Sequence, residues 1–444
     1  MNKKIRNPVL PKWFFLPAAA LCLLLGMGFA AAADFSDTGL NAPANSDTAA
    51  DSAVPGPDVP ADSDAADGAA ADMSADPADF CVVVASDPHY IAPSLTDGGA
   101  SWLKTLEQGD SKFMPYAEEI LDAFMEETAA LQPDAVILTG DLTFNGAVMS
   151  HEAFSDRLRT LETKVFVLPG NHDMYNVNAA RFHGNSYTRI PFATEKTFAA
   201  VWDDFGRKDA LSRDPDSLSY MAALTPGTRL LMLDFNTLSD YCGISEKSLA
   251  WVEEQLREAR EAGDCVLAAG HQNLFRHTVF LDGYVIERTE ALQALFRTYG
   301  VRLFLSGHLH VQHIVTESGL TEIASSCLVS YPCRYGVLTM KDGVLSYETR
   351  QLDLAAWAER HGRTDPVFAD FPAAAAQYMK DHFKAGDDDW LQELNVNYFA
   401  GDLQNIDTSG AETYLEGDGL ISMYVESVLS DIGKDFNHWK EKQP

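Results

Sequence analysis

With 444 residues the chain is long enough for one large domain or two moderate ones, each with a core of its own. Its formal charge of −32 at pH 7 argues against a polyanion-binding protein, because nucleic-acid affinity is carried by clustered Lys and Arg. Small phosphorylated molecules stay open to it, since bound metal ions can reverse the local field.

The first 33 residues read as a targeting segment. Lys3, Lys4, Arg6 and Lys12 make a basic start, Trp13–Phe29 is apolar, and Ala31-Ala32-Ala33 offers an A-x-A cleavage site before Asp34. Export with cleavage after Ala33 is the expected outcome, which makes the mature protein secreted or extracytoplasmic. An uncleaved N-terminal membrane anchor is the alternative, because the apolar run is long enough to span a bilayer. Residues 34–79 hold eleven Asp and no Glu, Lys or Arg. Such a stretch cannot bury enough apolar area to offset its ordering entropy, so a solvated, disordered linker is expected. Five cysteines follow, Cys81, Cys242, Cys265, Cys327 and Cys333. Their odd count and wide spacing do not describe a disulfide scaffold. Cys327 and Cys333 flank a strand–turn and either pair or stay as thiols.

From residue 80 the chain alternates short apolar runs with helical periods. Phe80–Asp87 reads as a buried strand, 113–131 as a helix stopped before Pro133, and Ala135–Leu138 as a second strand. A helix over 151–161 and a third strand, Val165–Leu168, come next. This alternation predicts right-handed βαβ crossovers and a largely parallel sheet. Residues 174–216 break the rhythm and read as an insertion over the strand ends, where lids and specificity loops sit. Strands resume at 217–223 and 228–234, a strong amphipathic helix spans 246–262, and 265–270 is again a buried strand. A helix over 286–299 and a strand at 301–307 follow. Hairpins then turn at Ser318-Gly319 and Lys341-Asp342-Gly343. Beyond 352 the composition shifts to Trp, Ala, Phe and Tyr with helical spacing, so 353–444 reads as a small helical subdomain attached to an 80–352 body.

Five of these strands end in metal-capable side chains: Asp87 and His89, Asp141, Asn171 with His172 and Asp173, His271, and His308 with His310. Residues just past the carboxyl end of a buried parallel strand are where α/β proteins place their chemistry. Carboxylate, imidazole and amide donors together suit borderline ions such as Zn, Fe, Mn or Ni. Two such ions can clamp a phosphate and supply hydroxide near neutral pH. One strand-end Asp or His is more often a cap or turn former. His151, His183, His277 and His313 lack the strand-end setting and read as surface or packing histidines.

Taken in order, Asp87-Pro88-His89, Gly140-Asp141, Gly170-Asn171-His172-Asp173, a lone His271 and Gly307-His308-Leu309-His310 resemble the pattern of the calcineurin-like metallophosphoesterases, over about residues 80–350. The resemblance implies a four-layer α/β/β/α sandwich and an enzyme with two divalent or transition metal ions (Mn, Fe, Zn or similar). It implies that Asp87, His89 and His310 hold one ion, Asn171, His271 and His308 the other, and that Asp141 bridges them. It further implies that a metal-bridging hydroxide attacks phosphorus, that His172 is the catalytic histidine beside the scissile phosphate, and that Asp173 orients it through the other ring nitrogen. Gly140-Asp-Leu-Thr-Phe-Asn-Gly146 is similar to the branch with cyclic-nucleotide phosphodiesterase-like and related secreted bacterial members, which favours a phosphodiester or nucleotide-type substrate. A phosphomonoesterase on the same site and a non-catalytic binding scaffold are the alternatives. His271-Gln272-Asn273 departs from the frequent His-His-Pro, and Asn145 either contacts substrate or shapes its turn.

Overall fold

The computed structural model describes residues 78–107, 111–278, 284–382, 388–417 and 419–442. The expected targeting segment and the linker up to residue 77 lie outside them. Fifteen strands form two large sheets and one hairpin among the described residues. They are β1 (Phe80–Ala85), β2 (Ala135–Leu138), β3 (Lys164–Val167), β4 (Ala180–His183), β5 (Ser186–Arg189), β6 (Ser212–Arg213), β7 (Tyr220–Thr225), β8 (Thr228–Leu233), β9 (Cys265–Gly270), β10 (Leu303–Ser306), β11 (His313–Glu317), β12 (Leu320–Ala324), β13 (Arg334–Lys341), β14 (Val344–Gln351) and β15 (His438–Lys442). One sheet runs β15-β14-β13-β1-β2-β3 and the other β11-β12-β10-β9-β8-β7-β6, with β4-β5 a hairpin apart.

The side-chain alternation of β1 shows how the layers are made. Val82 and Val84 point into a core shared with Leu230, Met232, Leu267, Ala269, Leu303 and Leu305 of the second sheet. Val83 and Ala85 point the other way, onto Ile120, Leu121 and Phe124 of helix Ala117–Leu131 and Phe154 of helix Val148–Leu158. The outer face of the second sheet does the same with Leu231, Val266, Ala268 and Phe304, covered by Val252 and Leu256 of helix Glu246–Ala262 and Phe296 of helix Thr289–Tyr299. The result is an α/β sandwich. A strand buried on both faces has no polar side to show, which is why these runs read as continuous apolar stretches. Each fully buried Val, Leu or Phe contributes about 1.5–3 kcal/mol relative to exposure.

Two expectations change. The sheets are mixed rather than largely parallel: β1-β2-β3 and β8-β9-β10-β12 run parallel, but β13, β14 and β15 add antiparallel strands to the first sheet. The tight hairpin turns decide this, with Asp342 and Gly343 both at positive φ (51° and 71°), as a two-residue primed turn requires. The tail after 352 is helical through Leu429 but then returns as β15, an edge strand on β14. Its alternate exposure, with His438, Lys440 and Lys442 outward, fits a half-covered edge. The tail helices make their own apolar cluster, in which Leu394, Tyr398, Phe399, Tyr424 and Val425 close on Leu309 and Val311 beside the His308–His310 loop. Arg334 also ties the two parts, binding Asp402 with both of its terminal nitrogens at 2.9 Å.

Residues 174–216 contain the β4-β5 hairpin and helix Glu195–Trp202, capped by Thr194. His151 is fully buried against this insertion, accepting from Trp202 Nε1 at 3.0 Å and donating to the Asp173 carbonyl at 2.8 Å. Cys327 and Cys333 are buried thiols rather than a disulfide. No helix of the described residues is long and apolar enough to cross a membrane.

Candidate metal centre

The carboxyl ends of β1, β2, β3, β9 and β10 converge at one edge of the sandwich. Close approach between the sheets rests on small residues: a Cβ on Gly307 would collide with Ser86 Oγ and come within 2.6 Å of Asp87 Oδ2, and one on Gly170 would collide with Asp141. Asp87, His89, Asp141, His308 and His310 all hold left-handed backbone, with φ of 54°, 40°, 48°, 68° and 59°. Asp and His are among the residues that tolerate this region, yet each such position costs of order 1–3 kcal/mol and persists only where the surroundings enforce it. Five at one site is strain concentrated on the side chains that converge.

Asp87 Oδ2 is occupied by the chain itself, accepting from Ser86 Oγ at 2.5 Å and from the His308 amide at 3.1 Å. Its other oxygen, Oδ1, is buried with no hydrogen-bond partner among the described residues and lies 3.3 Å from His310 Nε2 and 3.7 Å from His89 Nε2. The Nε2 atoms of His89 and His310 face each other at 3.1 Å. On the other side, His271 donates Nδ1–H to the Thr139 carbonyl at 2.8 Å, which fixes the tautomer and turns Nε2 to Asn171 Oδ1 at 3.1 Å and Asp141 Oδ2 at 3.4 Å. Asp141 belongs to both groups of closely spaced donor atoms, one with Asp87, His89 and His310 and one with His271 and His308. All seven expected ligands are therefore brought together, with Asp141 between the two halves.

His172 borders this cluster. Its Nε2 lies 3.8 Å from Asp141 Oδ2, and its amide donates to Asp141 Oδ1 at 2.7 Å. The orienting role expected for Asp173 needs correction. His172 Nδ1 faces the Phe144 carbonyl at 2.8 Å; a carbonyl only accepts, so Nδ1 carries the hydrogen and Nε2 is the nitrogen presented to the site. The Asp173 carboxylate instead takes the amides of Leu142, Thr143 and Gly170, each at 2.9 Å, and the Thr143 hydroxyl at 2.8 Å. It clamps the loops after β2 and β3 to one another.

The electrostatics of the cluster call for cations. Burial alone would raise Asp87 and Asp141, but the imidazoles around them, His310 and His271 for Asp87 and His271 and His172 for Asp141, hold both carboxyls below the usual range. Burial would lower His271, yet Asp141 and Asp87 lift it to about 9. Burial keeps His308 at about 3 and His89 well below the ordinary histidine value, the latter helped by the Lys112 ammonium. Neutral imidazole is the form that lends a lone pair to a metal. Burial, then the Asp141 charge, lifts Asp173 to about 7. A buried carboxylate oxygen without a donor, two ring nitrogens face to face and a shared carboxylate fit divalent ions and little else.

Several residues escape sequence inspection. Lys112, 4% exposed, sits near His89. Cys327 Sγ groups with the ring nitrogens of His89 and His310. Glu322, fully buried, accepts from Leu274 N, Phe275 N and Ser306 Oγ at 3.0, 2.7 and 2.6 Å. A glutamate inside the apolar strand Leu320–Ala324 was a readable anomaly; Lys112 and Cys327 offered none. Asn145 is buried and bonds the Asn178 carbonyl at 3.3 Å, which ties its turn to the insertion.

The family model for calcineurin-like phosphoesterases matches residues 81–312, just over half of the chain. The protein belongs to this family, the metal-dependent phosphoesterases. Among curated relatives, a 3′,5′-cyclic adenosine monophosphate phosphodiesterase of Vibrio vulnificus is 24% identical over 56% of this chain and 76% of its own length. Human tartrate-resistant acid phosphatase type 5 is 26% identical over 53% of this chain and 75% of its own. A probable glycerophosphodiester phosphodiesterase of Arcobacter nitrofigilis is 28% identical over 29% of this chain, and the match spans only 38% of that relative's length.

Proposed function

We propose that the protein is an exported phosphoester hydrolase with a two-metal centre, acting on a small phosphodiester or nucleotide-type substrate. The observation that carries the reading is the convergence of seven donor residues in two groups that share Asp141. Divalent ions bound there supply Lewis acidity and lower the pKa of water toward neutrality. In this reading Asp87, His89 and His310 would hold one ion and Asn171, His271 and His308 the other, with Asp141 available to both.

The chain's own contribution is orientation and proton handling. His172 presents Nε2 to the reacting phosphate because Phe144 holds Nδ1; a proton there passes to the departing oxygen. The Asp173 clamp fixes the distance between the Asp141 and His172 loops. A diester substrate is favoured by the Gly140–Gly146 turn and by relatives named as phosphodiesterases. The relative named as an acid phosphatase keeps monoesters in the test. Export is supported by the basic and apolar start with its A-x-A site; N-terminal sequencing of the mature protein should begin at Asp34.

The decisive experiment is a panel of phosphomonoesters, phosphodiesters and cyclic nucleotides, assayed on metal-free protein reloaded with Mn, Zn, Fe, Co or Ni. Two metals per chain and hydrolysis of a diester are expected, with both lost in Asp141→Asn. A chain that binds fewer than two metals, or hydrolyses nothing in the panel, overturns the proposal.

A further inference from the structure

We propose that Cys327 is an additional, sulfur ligand of the first metal position, beside His89 and His310, and gives that position a preference for thiophilic ions. The inference rests on the two-metal reading above. Cys327 follows β12 in the loop that crosses between the sheets. It is pinned there by a parallel bridge to Ser86 and by the Leu328 amide donating to the Ser86 carbonyl at 3.0 Å. That pairing lays the fully buried Cys327 against the residue next to Asp87. The thiol donates to the Asp87 carbonyl at 3.2 Å, and its sulfur, a His89 nitrogen and a His310 nitrogen all lie within 4.8 Å of one another.

A second observation points to a ligand at this spot. Asp87 Oδ1 is wholly buried, has no hydrogen-bond partner among the described residues and is aimed at the same two imidazoles, 3.3 Å from His310 Nε2 and 3.7 Å from His89 Nε2. The Nε2 atoms of those imidazoles are themselves only 3.1 Å apart, an arrangement that a cation between the rings resolves. With nitrogen at about 2.0–2.1 Å and sulfur at about 2.3 Å from a zinc-like ion, the three donor atoms, now within 4.8 Å of one another, draw together when they share one metal. Cys327 groups with the imidazoles and with neither Asp87 nor Asp141, so the sulfur approaches the two rings from the side away from both carboxylates and leaves the second position to oxygen and nitrogen donors. Coordination replaces the S–H bond: the sulfur gives up its proton to solvent and the Asp87 carbonyl loses its donor. A soft donor at one position and none at the other makes the two sites chemically unequal.

Cobalt is the probe that reads this directly. Metal-free full-length protein loaded with two equivalents of Co(II) should show visible ligand-field bands and, in the near ultraviolet, an intense sulfur-to-cobalt charge-transfer band. Cys327→Ser should keep the visible bands and lose the ultraviolet one, while Cys333→Ser, whose thiol joins none of the donor groups among the described residues, should keep both. Wild type should also release one more proton per chain on loading than Cys327→Ser, and its preference for Zn over Mn should fall about tenfold or more in that variant. Visible bands without a charge-transfer band in wild type, or one that survives in Cys327→Ser, overturn the sulfur ligand and leave the two-metal reading standing. Absence of all cobalt bands overturns both.

Discussion

His172 and Asp173 are neighbours in sequence and do different work, and two substitutions separate them. His172 borders the donor cluster without joining it, its Nδ1 spent on Phe144. His172→Ala should therefore retain metal content and fold while kcat falls about 10²- to 10⁴-fold, the usual worth of a positioned acid or base; loss of metal in that variant would make His172 a ligand instead. Asp173 accepts four donors from the Asp141 and Gly170 loops. An amide at that position would turn its NH₂ against one of them, so Asp173→Asn should lower stability by about 1–3 kcal/mol, read as a fall in the urea midpoint, and the catalytic pH profile should keep its shape. The pattern Gly-Asn-His-Asp made both residues visible in the sequence because it follows a short apolar run. Which acceptor each imidazole faces was not visible, since Phe144 reaches His172 only through the fold of the turn after Asp141.

At the scale of elements, the strands advertised themselves and the loop that joins the two sheets did not. Ala135–Leu138 and Cys265–Gly270 are buried on both faces and were readable to the residue, because such runs carry no polar alternation. Segment 325–333 is irregular, and its meaning comes from pairing with Ser86, 241 positions away in the chain. Glu322 shows how far that matters. Its carboxylate gathers the loop after β9, through Asn273 Nδ2 at 3.1 Å and the amides of Leu274 and Phe275, and the end of β10, through Ser306 Oγ. Those two strand ends deliver His271 and His308. On the proposed two-metal reading, Glu322→Gln should thus weaken the second metal by about tenfold or more while the first is retained, as loss of a supporting contact does. Calorimetric titration checks it: two unequal binding steps should separate further in the variant, and equal weakening of both would reduce Glu322 to general stability.

At the scale of the whole molecule, the tail is the part that composition described least well, because an edge strand and a set of helices share the same aromatic-rich segment. Its junction with the body lies directly behind the His308–His310 loop, where Leu309 and Val311 enter the tail's apolar cluster and Gln312 bonds the Phe399 and Phe436 carbonyls. His313 sits at the centre of that junction. It faces His277 Nδ1 at 3.0 Å on the body side and, on the tail side, Asp431 at 3.2 Å and the ring of Phe436 at 4.0 Å, with Lys434 nearby. Burial drives His313 down to about 4 despite the Asp431 carboxylate. The unfolded chain, with His near 6.5, binds the extra proton first as pH falls. The folded state therefore loses stability progressively from about pH 6.5 to pH 4, by about 3 kcal/mol if this residue acts alone. Asp431 works in the same direction below that window. Burial raises its carboxyl, but His313 and Lys434 outweigh it and hold it below the ordinary value, so its contribution is lost as acid protonates it. Acidification should accordingly loosen the tail before the sandwich. In chelator, so that metal loss plays no part, hydrogen exchange at pH 4.5 should rise in 389–429 well before β1, β2 and β9. The stability difference between wild type and His313→Gln should shrink as pH drops from 7 to 4.5. Parallel stability curves for the two proteins would show that the junction titrates elsewhere.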